Sequence, residues 1–135
     1  MLEPIEHHWR VGEPEPADHH LVLRGSPLTA ETPSAHASRQ ARTFSYRDAP
    51  MYSVSVFVAT DEMHLRRLLG HELVTRRSYG ACSVGGLYSA GYVLLATHEP
   101  AHFDILLDDD SESASRALLA RFAIIRENPL YRRGR

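Results

Sequence analysis

Lysine is missing from this chain: all fifteen basic residues are arginine. Asparagine is almost missing too, with Asn128 alone. Both amino acids have A-rich codons, so the simplest reading is a GC-rich coding sequence and hence a bacterial source. The functional reading is avoidance of amine modification, or arginine chosen for bidentate contacts with anions. Cysteine occurs once, at Cys82, which excludes an intramolecular disulfide and a cysteine-based zinc site. No window approaches the roughly 18 consecutive apolar residues of a membrane span, so no membrane partner is expected. The opening residues, MLEPIEHHWRVGEPEPADHH, lack the basic start and apolar run of a secretory signal. A cytoplasmic protein is the expectation.

An excess of charge of either sign is also lacking, since fifteen basic residues face seventeen acidic ones for a net charge of −2. That balance argues against a nucleic-acid binder of the ordinary basic type, although a local arginine patch remains open. Histidine is the exception to this poverty, with nine. Free imidazoles titrate near about 6.5, so the net charge changes sign in mild acid. A hydrophobic content of 43% with 24% charged residues is that of a globular protein. At 135 residues the chain reads as one domain, large enough to bury a core without metals or disulfides.

Local patterns divide the chain. Residues 1–18 alternate proline and acidic residues without a period and read as an extended arm. The run HLVLRG, 20–25, is a first strand ended by Gly25 and Pro27. Residues 26–50 are rich in Ser, Thr, Ala and Pro, and a connection this long signals a functional loop, a missed element or disorder. Within it SAHASRQA suits a short helix and RTFSYR a short strand. MYSVSVFVA, 51–59, is the clearest strand, with Tyr52, Val54, Val56 and Val58 alternating against Met51, Ser53, Ser55 and Phe57. Thr60 then caps a helix over 61–69, with Met63, Leu65, Leu68 and Leu69 as its buried stripe. Ser83 caps one or two helical turns that stop at Gly91. YVLLAT and HFDILL have hairpin spacing. Asp108–Ser111 opens a helix running to about Asn128, with Leu118, Phe122 and Ile125 on its buried side. The expected fold is α+β: a single domain, mainly antiparallel, with four to five strands and two or three helices. It occupies 19–128, between the arm at 1–18 and a basic tail at 129–135.

Two groups of residues invite a chemical reading. His98-Glu99-Pro100-Ala101-His102 spells the zinc-metallopeptidase pattern, which needs both histidines on one helical face. Pro100 lacks an N–H and disfavours helix at Glu99, and the flanks are strand-like, so a hairpin is expected instead. His98 and His102 could still approach across its mouth, near Asp104, as a weak metal site. The second group runs Arg24-Gly25 at the first strand end, Ser53 and Ser55 on the clearest strand, and Glu99 late in the chain. In order and type this resembles the small ADP-ribosyltransferase domains. The resemblance implies that Arg24 would hold a nicotinamide dinucleotide and that Glu99 would be catalytic. It departs from the family where Thr97 replaces the first acid or amide of the usual Glu-x-Glu or Gln-x-Glu pair.

The segment 26–50 also carries His36, Arg39, Arg42, Phe44, Tyr46 and Arg47, a mixture suited to a protein interface or to phosphate capture with base stacking. Cys82 beside a helix start is either a small buried residue or an activated thiol. Asp108–Asp110 lacks calcium-loop spacing and reads as helix capping. The leading functional expectation is a non-catalytic protein-binding module without a cofactor, contacting its partner through 26–50. The alternative is a small toxin-like enzyme acting on a nucleotide or nucleic acid through Arg24 and Glu99. A structural role in an assembly is the third.

Overall fold

The computed structural model of the chain describes residues 2–5, 15–96 and 101–133. Its main layer is a six-stranded sheet in which every pairing is antiparallel. In chain order the elements are β1 (Glu3–Ile5), β2 (Leu21–Gly25), α1 (Glu31–Thr43), β3 (Phe44–Tyr46), β4 (Ala49–Pro50) and β5 (Ser53–Ala59). Then follow α2 (Glu62–Gly70), β6 (Ser78–Ser83), α3 (Val84–Ser89), β7 (Leu94–Leu95), β8 (His102–Leu106), α4 (Glu112–Leu119) and β9 (Ile124–Glu127). Across the main sheet the order is β7-β8-β5-β2-β6-β9, and β1-β3-β4 form a small second sheet. The α+β class therefore holds, with one more main-sheet strand and one more helix than expected.

Antiparallel partners that lie opposite each other share a face of the sheet, which sorts the side chains. On one face Val22, Val54, Val56, Val58, Phe103 and Ile105 are buried beneath Val84 and Leu87 of α3, Leu118 of α4, and Phe122. Each fully buried side chain of this kind contributes about 1.5–3 kcal/mol relative to exposure. On the other face Leu23, Ala59, Tyr79 and Ala81 meet Leu68, Leu69 and Leu73 of α2 and the turn after it. A third cluster, Tyr46, Met51 and Leu95, joins the small sheet to the β7 edge.

The segment 26–50, expected as a loop with short pieces of structure, contains thirteen residues of helix. Pairing of β2 with β5 stops at Leu23↔Phe57, and α1 packs against β5. There it buries Ala37 in the first cluster and directs Gln40 to Ser53 and Asp104.

Several local details differ from expectation for identifiable reasons. The cap of α2 is Asp61, not Thr60: its carboxylate accepts the His64 N–H at 2.8 Å, while Thr60 N donates to the His64 ring. Met63, placed in the buried stripe, is 75% exposed. The last helix ends at Leu119, and Ile124–Glu127 pairs with β6 instead of extending it. Ile125, spaced as a helical core residue, is 54% exposed on that edge strand. Ser83 caps α3 as read, accepting the N–H of Gly86 at 3.0 Å, whereas at α4 the cap is Ser111, accepting from Ala114 N at 3.1 Å, rather than the acidic run 108–110.

Asn128 has a structural task that explains its place after β9. Its buried amide donates to Leu69 O and Leu73 O at 3.0 and 2.9 Å, and its side-chain oxygen accepts from Leu130 N at 2.9 Å. One side chain thus closes the C-terminal end of α2 and turns the chain back across it.

Candidate functional site

A cleft of about 330 Å³ opens where β2 ends, between α1, β5 and the turn after α2. Small-molecule sites begin at about this size. Arg24 comes from the last turn of β2 into the connection, His36 and Arg39 from α1, Ser55 and Phe57 from β5, and Arg76 from the approach to β6. Three guanidinium groups thus line the cleft, against the carboxylate of Glu72. Gly25 allows this convergence. A Cβ there would stand 2.6 Å from Arg76 Cγ and 3.0 Å from Leu73 Cδ2, so any larger residue would push the α2–β6 connection away.

Arg24 is held inside the wall. Its Nη1 donates to the backbone oxygen of Ser55 at 2.6 Å, which lies beyond the stretch that β2 pairs. Its Nε is buried and has no hydrogen-bond partner among the described residues. Burial, reinforced by Arg76 and opposed by Asp104, lowers its pKa to about 10. It is still a cation at neutral pH, but a poorly solvated one. Next to it the His36 imidazole has a lowered pKa, first from burial and then from Arg24. Asp104 raises it, and Arg39 and His102 lower it further. His36 is therefore neutral at pH 7, and its Nε2 is buried without a partner among the described residues. Arg39 Nη2 lies 3.5 Å from the other ring nitrogen.

Behind this wall, on the same face of the sheet, β5 and β8 bring polar groups together. Ser55 Oγ is hydrogen-bonded to His102 Nε2. The His102 ring stacks on Phe57 at 5.2 Å between centroids. Asp104, directly opposite Ser55 in the register, is fully buried and accepts from Gln40 Nε2 at 3.3 Å. Gln40 also donates to Ser53 Oγ at 3.4 Å.

The residues singled out from the sequence therefore separate. Arg24, His36 and Arg39 line the cleft, and His102 lies behind Ser55. Arg42 is exposed near the end of α1. Tyr46 is buried in the third cluster, with the Arg47 guanidinium 5.2 Å above its ring. Arg47 and Asp48 form the left-handed turn between β3 and β4, at φ 52° and 63°. His98 and Glu99 lie outside the described residues. His102 begins a strand, so it cannot supply the second ligand of a helical zinc motif. Among the described residues no three His, Cys, Asp or Glu side chains gather as a metal site. Cys82 sits on β6 opposite Val22, and burial pushes its thiol up to about 11, away from nucleophilic use. Asp109 accepts from Ser111 N at 2.9 Å and so supports the start of α4.

Arg76 and Gln40 were not singled out beforehand. Only Gln40 had a usable signal, as a long polar residue in a helix-compatible stretch beside a half-polar strand. In comparisons with known proteins, no family model, no curated protein and no solved structure matches the chain.

Proposed function

We propose that the Arg24 cleft binds a phosphate-bearing small molecule, a nucleotide by class, and that the protein acts there. One observation carries this reading: a buried guanidinium that donates a hydrogen bond to Ser55 O and keeps its Nε–H buried with no acceptor among the described residues. Burying an incompletely satisfied cation is unfavourable, and a pre-placed donor of this kind is what an anionic ligand would complete. Arg39 and Arg76 add positive charge, and Phe57 with Leu23 offers an apolar wall for a base. The resemblance to ADP-ribosyltransferases, which rests on Arg24, Ser53, Ser55 and Glu99, includes the same arginine and makes nicotinamide dinucleotide the first ligand to try.

The test is thermal unfolding with nicotinamide dinucleotide, ADP and pyrophosphate, on the wild type and on Arg24→Met. A ligand at a hundredfold excess over Kd stabilises the native state by about 2.7 kcal/mol. The wild type should shift with at least one of the three, and Arg24→Met should melt normally without shifting. A wild type indifferent to all three at millimolar concentration defeats the reading.

A second reading, a protein-binding module using 26–50, is favoured by the exposure of Arg42 near the end of α1 and of Arg47 in the turn between β3 and β4. It requires that Arg42→Ala with Arg47→Ala abolish capture of a partner that Arg24→Met retains.

A further inference from the structure

The cleft contains more than an anion cradle. Ser55 lines it, and the Ser55 hydroxyl is hydrogen-bonded to an imidazole nitrogen on the neighbouring strand. A serine hydroxyl is a weak nucleophile unless a base within hydrogen-bond reach removes its proton as it attacks. His102 meets that geometric condition, and two constraints orient it. Its ring is stacked at 26° on Phe57, its direct register partner on β5. It is also on a strand paired to β5 along five residues, so neither member of the pair sits on a loose segment.

From this arrangement we infer that Ser55 is a nucleophile and His102 its general base, directed at the phosphorus of a phosphoric ester or anhydride held by the arginines. The inference rests on the reading of the cleft as a phosphate site, and adds a reaction to it. Ser55 Oγ forms a bond to phosphorus while its proton passes to His102 Nε2. The bond from phosphorus to the leaving oxygen breaks, and that oxygen takes the proton from His102. Water then attacks the phosphoserine and gives its proton to His102; the bond from phosphorus to Ser55 Oγ breaks, Oγ takes the proton back from His102, and phosphate leaves with Ser55 restored. The arginines are suited to the charge that spreads over the phosphoryl oxygens during both steps. Arg24 also fixes the nucleophile's backbone through its bond to Ser55 O.

The alternative is that the Ser55–His102 bond only satisfies two polar side chains between strands. Ser53 makes a useful contrast on the same strand and face: it is fully buried and takes its hydrogen bond from Gln40. Ser53 is a packed residue without access, whereas Ser55 faces the cleft.

The experiment uses a fluorophosphonate probe, which tests attack on phosphorus without requiring that the natural substrate be known. Serine attack forms an O–P bond and expels fluoride, and the proton goes to His102. The intact protein is labelled, digested and mapped by mass spectrometry, alongside Ser55→Ala, Ser53→Ala and His102→Gln. We expect one label on Ser55, none in Ser55→Ala, and an unchanged rate in Ser53→Ala. General-base assistance contributes typically 10²–10⁴-fold, so His102→Gln should slow labelling by about 10²-fold or more.

The wild-type rate should also rise with pH as His102 loses its proton, and that dependence should vanish in His102→Gln. Among the described residues, the charged or titratable groups facing His102 include Asp104 on its own strand and His36 on α1, with Arg24 and Arg39 beyond His36. A His36→Gln variant that kept the profile would assign it to His102. No label on Ser55 in folded protein overturns the inference. So does labelling at an undiminished rate in His102→Gln. A nucleotide-dependent thermal shift together with an unlabelled Ser55 removes the nucleophile and leaves the binding site. A labelled Ser55 with no shift from any nucleotide supports the nucleophile and removes the nucleotide.

Discussion

The two faces of β5 are built on opposite terms. Val54, Val56 and Val58 face a largely apolar core closed by α3, α4 and the strands beside them, with Ser115 of α4, one turn before Leu118, as a fully buried polar residue. Ser53, Ser55 and Phe57, one residue away along the same strand, face a region where Asp104 is fully buried and Gln40 and His102 are partly buried. The serine face holds hydrogen-bonded polar groups, and beside it Arg24 Nε and His36 Nε2 are buried with no partner among the described residues. A strand that needed only to be a strand would have no reason for the second arrangement. Under-satisfied polar groups gathered at a cleft are the expected mark of a binding site, where stability has been given up for a ligand.

The largest expected effect breaks the first face and leaves the second alone. Ile105 is fully buried opposite Val54, and Ile105→Ala should destabilise by about 2–5 kcal/mol, read as a lower denaturant midpoint with an unchanged slope. Residual folded protein should still respond to the cleft ligand. Next, Asn128→Ala leaves the Leu69 and Leu73 carbonyls without their side-chain donor at the end of α2. It should destabilise by about 1–3 kcal/mol without altering the Ser55 labelling rate. A neutral Asn128→Ala would mean that water replaces the amide there.

A pH series probes the serine face directly. The folded-state pKa of His36 lies below the unfolded value of about 6.5, so in the interval between them the unfolded chain binds more protons. Stability should be full above about pH 6.5 and fall as the pH drops from there through the folded pKa. His20, lowered by burial and by His19 and His64, adds in the same direction. His36→Gln should flatten the curve in part. An anion in the cleft opposes the effect of burial and of Arg24 on His36, so ligand binding should tighten as the pH falls below 6.5. The smallest stability change belongs to Arg24→Met, near zero or slightly favourable, because an apolar side chain of similar length replaces an incompletely paired cation. A collapse of that variant would make Arg24 a structural residue and erase the contrast between the two faces.

Where an element depended on its own residues, its position could be read directly. Alternation located β5, an apolar run located β2, Ser83 located the start of α3, and the run 108–111 located that of α4. The exceptions are instructive. Leu118, Phe122 and Ile125 keep helical spacing, yet the chain leaves the helix at Leu119 because β6 had a free edge to pair with Ile124–Glu127. The segment 26–50 has few apolar residues, so its helix carried a weak periodic signal. Packing of Ala37 and Gln40 against β5 supports it instead.

The sequence by itself determined the class, the antiparallel character, the single free thiol and the absence of lysine, since these follow from composition and from patterns a few residues long. It also marked Arg24 and the serines of β5 as unusual. Only the tertiary structure decided that Arg24 reaches Ser55 across 31 residues and Ser55 reaches His102 across 47. Strand order and register set those meetings, and neither can be read from local sequence. The same applies to burial, which makes His36 a neutral base and Arg24 an under-solvated cation. Both depend on which elements cover them, not on their neighbours in the chain.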